Sequence, residues 1–292
     1  MNVRIETVQI GQPIKQEIEI RSGVHRLAGR LFHPTGTPKA VVIINAATGV
    51  RQRYYEAFAT WLAVERGLAC VTYDYRDFGE SQSGALRSSR ATMVDWAVHD
   101  PIAVRDHIWS LLPGLPIWHL GHSIGGMGLA FQDGVSGLER VITVASGPVH
   151  LRDHPWPYRA LAAAFWYGPA PLATRLLGYL PGRKLGVGPD LPSGVYWQWR
   201  KWCTTQGFFA GDIGAALPYP DYNAVGCPVR IVVAADDKLV PPKAVWRTMD
   251  FYREAVVTQK VLKPDAYGLQ SIGHIEVFAE ENQACWANVL GE

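Results

Sequence analysis

The chain has 292 residues, 48% of them hydrophobic, with 28 basic against 26 acidic side chains and a formal net charge of +2. That length fits one α/β domain with an insertion, and the apolar share supports a sizeable core. The charge balance gives no reason to expect nucleic acid or an anionic membrane as a partner, no apolar run reaches the roughly 18 residues that span a bilayer, and the N-terminus lacks the pattern of a secretory leader. The four cysteines, Cys70, Cys203, Cys227 and Cys285, lie far apart with no Cys-x-x-Cys pair. They fit buried reduced thiols in a cytoplasmic protein, although spacing leaves a disulfide open. Neither a metal nor a cofactor is expected.

In chain order, residues 16–20 and 29–32 read as a hairpin around Arg21-Ser22-Gly23, with the alternation Ile18-Glu19-Ile20 marking a half-buried strand. Ala40-Val41-Val42-Ile43-Ile44 is a continuous, largely β-branched run of the kind covered on both faces in parallel sheets. A helix is predicted over 54–66, with Phe58, Trp61 and Leu62 on one face, then a strand over 69–74. The helical stretch over 93–109 has Pro101 starting its main part or kinking it. A strand is expected over 115–120 and a helix from 126 to 132. Further strands are predicted over 141–145 and 229–234, a helix over 244–254, a last strand over 259–262 and a last helix over 276–290. Strands alternating with helices imply a mainly parallel sheet, to which the hairpin adds antiparallel strands at one edge.

Residues 148–222 break this rhythm. They contain no clear strand, five of the 11 tryptophans and half of the 20 prolines. So long a connection without structure of its own is unusual. It reads as an inserted helical cap, 148–222, on a core formed by 1–147 and 223–292. Trp166, Trp197, Trp199 and Trp202 are candidates for lining a substrate pocket, and aromatic packing within the insert is the alternative.

The segment Gly121-His122-Ser123-Ile124-Gly125 falls between a predicted strand and a predicted helix. A serine on such a sharp turn needs small neighbours two residues away, and Gly121 and Gly125 meet that need. Its oxygen projects from the sheet, and the helix N-terminus places N–H groups beside it. A hydroxyl is a poor nucleophile near neutral pH. It requires a base within hydrogen-bond reach, and the base requires an orienting acceptor. Asp236 and Asp237 compete as that acceptor, just past the 229–234 strand, where open α/β sheets place their ligands. Asp237 is preferred, with Asp236 bonding loop amides. The base candidate is His274, the one histidine of nine that follows the acid. His122, beside the serine, is expected to pack or to bond the elbow. One oxyanion donor is the amide of Ile124. The other comes from Asn45-Ala46-Ala47-Thr48-Gly49, with Ala47 preferred, Ala46 second, and Asn45 bracing the loop or donating a further bond.

The order Ser123, Asp237, His274, together with Asn45 to Gly49, Tyr73 to Ser81, Gly121 to Gly125, Asp237 to Pro241 and Gly273-His274, resembles the α/β-hydrolase superfamily over most of the length outside the cap. Many members carry His-Gly where this chain has Asn45-Ala46. Tyr73-Asp74-Tyr75-Arg76-Asp77-Phe78-Gly79-Glu80-Ser81 is similar to the family's Asp-x-Arg-Gly-x-Gly-x-Ser segment, with Asp77 where glycine is usual. That departure bears on a loop near the sheet edge rather than on the chemistry. More narrowly, Ala47-Thr48-Gly49-Val50 followed by Tyr54-Tyr55 and Phe58-Ala59 is similar to a bacterial group related to the serine aminopeptidase and monoacylglycerol lipase-like hydrolases. The motifs do not establish peptide cleavage.

The resemblance implies an α/β-hydrolase fold: a mostly parallel central sheet, helices on both faces and an inserted helical cap. It implies a serine esterase that forms an acyl-enzyme on Ser123 with a small to medium apolar ester, as a monomer or homodimer. Acyl transfer, or hydrolysis of an amide or carbon–carbon bond, would use the same triad. A ligand-binding protein without turnover is a further alternative. A dehalogenase or epoxide hydrolase is disfavoured, because those carry aspartate at the elbow.

Overall fold

In the computed structural model, which describes residues 13–292, the chain opens with an antiparallel hairpin of β1 (Ile14–Ser22) and β2 (His25–His33). Both strands are longer than predicted. The first twelve residues, on which the reading of a missing leader partly rests, lie outside the described residues. β3 (Val41–Asn45) follows, fully buried as its β-branched run demands. A 3-10 turn, Gln52–Tyr55, leads into α1 (Glu56–Arg66), which ends at Gly67 in the left-handed conformation. Next come β4 (Ala69–Tyr73) and, after a π-helical turn at Asp95–His99, α2 (Asp100–Leu111). Pro101 follows that π-helical turn inside one continuous helical run, and the Ala97 carbonyl, four residues before it, accepts from Gln132 Nε2 at 2.7 Å in place of the missing N–H.

β5 (Ile117–His122) and β6 (Arg140–Val144) continue the sheet. The inserted segment then supplies α3 (Tyr158–Tyr167), α4 (Pro169–Leu177), β7 (Tyr179–Leu180), α5 (Gly182–Leu185), β8 (Leu191–Pro192) and α6 (Ser193–Thr204). Residues 158–204 are thus largely helical, and where no strand is predicted β7 and β8 pair as a short antiparallel ladder. The core resumes with β9 (Val229–Ala234), α7 (Pro242–Val245), β10 (Val257–Leu262) and α8 (Trp286–Leu290).

The eight core strands lie in the order β1-β2-β4-β3-β5-β6-β9-β10. Only the β1–β2 and β2–β4 pairs are antiparallel, and every other pair is parallel. The C-terminal ends of β5, β9 and β10 thus share one edge, the edge at which this topology places ligands. Among the described residues no helix is long and apolar enough to cross a membrane. The cysteines are unpaired. Three are buried, but Cys227 is half-buried, unlike the expectation for all four.

Three predicted helices are corrected. After the elbow there is no α-helix, only 3-10 turns at Ser123–Gly126 and Leu129–Phe131. Gly125, Gly126 and Gly128 each disfavour helix by about 1 kcal/mol relative to alanine. The helix predicted over 244–254 is shortened to α7 followed by 3-10 turns, Trp246–Phe251. The last predicted helix is broken at Ala279, whose backbone is extended. There the Glu276 carbonyl accepts the Ala279 amide in a 3-10 turn and also Asn282 Nδ2, and the Val277 carbonyl accepts from Trp286 Nε1.

Two polar clusters set the loops around the sheet. Asp74 accepts the amides of Gln52 and Glu80 at 2.7 and 2.8 Å, and its carbonyl accepts from Ser81 Oγ. Asp77, in the glycine position, takes the left-handed conformation at φ 56° and accepts from Ser89 Oγ. The start of the insert is tied to the core by Arg247, which donates to both oxygens of Asp153 at 2.7 and 2.8 Å.

The Arg247 guanidinium holds the Asp153 carboxyl down at about 2, against an ordinary 3.8. Because the folded-state value is depressed, the stability from this pair is present above about pH 4 and is lost as pH falls towards about 2. Arg247→Ala is expected to reduce the stability lost across that window. Acid unfolding followed by circular dichroism checks this, and an unchanged acid limb would exclude the pair as a contributor.

Candidate active site

Ser123 directly follows β5 with φ 55°, a conformation that costs a non-glycine residue roughly 1–2 kcal/mol. The surrounding glycines show why the strain is tolerated. A side chain on Gly121 would strike the Gly125 carbonyl and the Gly126 backbone, and one on Gly125 would strike the Asn45 carbonyl. The elbow is therefore pressed against the end of β3. Gly125→Ala is expected to cost about 3 kcal/mol through backbone overpacking, which lowers the melting temperature by roughly 10 °C. Calorimetry checks this, and an unchanged melting temperature would mean that the close approach is not rigid.

The loop after β9 carries both aspartates, and they turn to different partners. Asp237 Oδ2 lies 2.8 Å from His274 Nδ1, while its Oδ1 accepts the amides of Leu239 and Val240, each at 2.8 Å. Asp236 accepts the amides of Ile272 and Gly273 at 3.0 and 3.1 Å. One carboxylate meets the imidazole and the other grips the loop that carries it. Asp237 and His274 are buried and Ser123 is half-buried. The His274 loop is brought to the elbow through the residue beside the serine: His122 Nε2 lies 2.9 Å from the His274 carbonyl, and the two rings are 5.2 Å apart.

One expected donor is corrected. The Ala47 amide is committed to Tyr55 Oη at 3.0 Å, and the preceding carbonyl, of Ala46, accepts from Tyr75 Oη at 2.9 Å. The peptide joining residues 46 and 47 is thus held at both ends. Ala46 and Ala47 are both buried, whereas Thr48 is partly exposed. Asn45 braces the loop: its side chain bonds Tyr73 and His119.

The four tryptophans of the insert pack against aromatic neighbours. Trp202 is buried, donates to Asp212 and packs on Phe208 and Phe209. Trp166 is buried between Phe165, Tyr196 and Trp199. Trp197 packs on Tyr196. Two clefts flank the site. One, of about 450 Å³, is bounded by His154, Asp236, Asp237 and Lys238. The other, of about 1310 Å³, is bounded by Gly49, Val50, Tyr54, Pro189 and Ile275. None of the four tryptophans lines either cleft. Trp166 and Trp199 meet edge to face, and the contacts with Phe165, Tyr196, Phe208 and Phe209 bury much of the apolar area of the four rings. Sequence reasoning missed Tyr55, Tyr73 and the bonding of His119, since buried tyrosines and strand histidines give no pattern of their own.

A mostly parallel sheet with a strained serine after a central strand, and a paired aspartate and histidine on later loops, defines the α/β-hydrolase class. A family model described as the alpha/beta hydrolase family matches residues 41–267, and the chain belongs to that family. A 99-residue stretch is 33% identical to monoglyceride lipase from Homo sapiens, covering 33% of this chain and 31% of that enzyme. The Mus musculus enzyme is 31% identical over the same length. The match thus spans about a third of these curated relatives.

Solved structures align over nearly the whole chain. An esterase from Pyrococcus furiosus has a TM-score of 0.59 at 14% identity, covering 94% of this chain and 88% of its own. A Butyrivibrio proteoclasticus protein with bound ferulic acid has 0.57 at 17%, covering 93% and 96%. A thermophilic esterase from Thermogutta terrifontis has 0.54 at 17%, covering 94% and 96%. At these identities the likeness concerns the fold alone.

Proposed function

We propose that the protein is a serine hydrolase that cleaves a carboxylic ester of a small to medium apolar substrate. The observation that carries this reading is the 2.8 Å bond from His274 Nδ1 to a buried Asp237, on a loop tied to the residue beside a strained Ser123. In the proposed reaction Ser123 Oγ attacks the ester carbonyl as His274 Nε2 takes its proton. Asp237 holds the imidazole and stabilises its charged form. The proton passes to the departing alcohol, and water activated by His274 then releases the acid. The amide of Ile124 is one oxyanion donor. The second comes from the same loop: with the Ala47 amide bonded to Tyr55 Oη, the amides of Ala46 and Thr48 are left to supply it. Each such donor contributes about 3 kcal/mol to transition-state stabilisation.

The esterases among the structural neighbours and the partial identity to monoglyceride lipase favour an ester over an amide. The insert over 148–222 acts as a cap in this reading, and its β8 end approaches the cleft beside Gly49 and Val50. The test is incubation with a fluorophosphonate probe and a panel of p-nitrophenyl esters of graded acyl length. Labelling at Ser123 with turnover of short to medium esters is expected. Absence of both would overturn the reading in favour of a binding protein, and turnover of anilides above esters would reassign the substrate to amides.

A further inference from the structure

β5 carries two buried histidines to which the proposed reaction assigns no step, His119 and His122. Each bonds through both ring nitrogens, and one partner of each is a main-chain carbonyl. His122 Nε2 lies 2.9 Å from the His274 carbonyl, and its Nδ1 lies 2.8 Å from Tyr55 Oη. His119 Nε2 lies 2.9 Å from the Gly125 carbonyl, and its Nδ1 lies 3.1 Å from Asn45 Nδ2. A carbonyl only accepts, so both rings carry a proton on Nε2. Burial pushes both imidazoles far down, His119 to about 3, so both are neutral and both Nδ1 atoms must accept.

The direction of every bond then follows. In the first chain, Ala47 N–H donates to Tyr55 Oη, Tyr55 O–H donates to His122 Nδ1, and His122 Nε2–H donates to the His274 carbonyl. In the second, Tyr73 O–H donates to Asn45 Oδ1 at 2.6 Å, Asn45 Nδ2 donates to His119 Nδ1, and His119 Nε2–H donates to the Gly125 carbonyl. Both chains start on the loop after β3 or on the tyrosine that bonds its end residue. One ends on the elbow and the other on the base loop.

We propose that His119 and His122 are positioning residues that lock the 45–48 loop to the elbow and to the His274 loop, through two separate hydrogen-bond chains. This rests on the reading of Ser123 and His274 as nucleophile and base. The sheet ladder fixes β3 against β5 only as far as Asn45 and Gly121. Beyond that point the oxyanion donors, the serine and the imidazole sit on loops with no ladder between them, while the reaction needs them aligned within tenths of an ångström. The two chains continue the cross-strand connection by one layer of side chains. A neutral His122 has a second consequence. Its ring lies 5.2 Å from that of His274, and a charge there would oppose the protonation that a general base undergoes.

The test uses the full chain and hydroxyl deletions. Tyr55→Phe and Tyr73→Phe are each expected to lower kcat on a p-nitrophenyl ester about tenfold, with KM within about twofold, by analogy with loss of one buried neutral hydrogen bond and the misalignment that follows. Adding His122→Gln to Tyr55→Phe should cost no more than the worse single change, because both cut one chain. Combining Tyr55→Phe with Tyr73→Phe should multiply the losses. Unchanged kcat in folded variants, or losses that track only the folded fraction, would overturn the proposal. Nitrogen NMR of the wild type provides a readout independent of turnover. Both rings should be Nε2-protonated and should not titrate between about pH 5 and 9. A ring protonated on Nδ1, or one that titrates, would overturn the chain directions. If the wild type neither labels nor turns over, the reading of Ser123 fails by itself, and the NMR result still decides the two chains.

Discussion

Replacing Ser123 by alanine is expected to lower kcat/KM for p-nitrophenyl esters by roughly 10⁴–10⁶, with the fold intact. Alanine keeps the backbone at its strained φ of 55° and removes only the oxygen. The oxyanion donors and the binding surface remain, so a small rate above that of free water should persist. Stability should move little, because alanine and serine are equally strained in that conformation. Ser123→Gly separates the two properties. Glycine occupies positive φ without penalty, so this variant should be as inactive as the alanine variant yet more stable by about 1 kcal/mol. Calorimetry beside the esterase assay checks both statements. Retention of more than about a hundredth of the wild-type rate in Ser123→Ala would identify a different nucleophile.

The second large effect distinguishes the paired aspartates. Asp237→Asn is expected to cost about 10⁴ in kcat. The Asp237 carboxylate only accepts: from His274 Nδ1 through one oxygen, and from two amides through the other. An amide in its place presents N–H₂ to at least one of those donors. The imidazole then turns, or adopts the tautomer that cannot take the serine proton. Asp236→Asn is expected to cost only about tenfold. Its two oxygens hold the Ile272 and Gly273 amides, so the substitution loosens the base loop without touching the imidazole. Equal losses, or a larger loss at Asp236, measured as kcat across about pH 6–9, would reassign the acid.

Parts of the fold follow from local sequence. The runs at 40–44 and 229–234 read as buried strands because they are β-branched and apolar apart from Arg230, whose guanidinium reaches the Asn288 carbonyl. The elbow was legible because its turn admits only glycine at 121 and 125, and the structure shows both against backbone. The helices after the elbow and at the C-terminus were not legible. Their periodicity is helical, but glycine disfavours the first helix, and the second gives way to 3-10 turns with side-chain donors on Glu276 and Val277. Of the two adjacent aspartates, Asp237 is preferred from its place before Lys238 to Pro241, but local sequence holds no contact that fixes the choice. Consecutive side chains point in different directions, so the path of the loop decided which one met His274.

The sequence by itself determined the strands of the central sheet, the strained turn, and the chain order of Ser123, Asp237 and His274, because each depends on neighbours within a few residues or on chain order. Only the tertiary structure decided who bonds whom across the site. His122 and His274 are separated by 152 residues, and Tyr55 and His122 by 67. It placed Tyr55 on the amide expected for the oxyanion, and it set the insert's tryptophans against Phe165, Tyr196, Phe208 and Phe209. Such contacts arise when loops dock beyond the ends of the sheet, and no local propensity records where a loop from another strand will arrive.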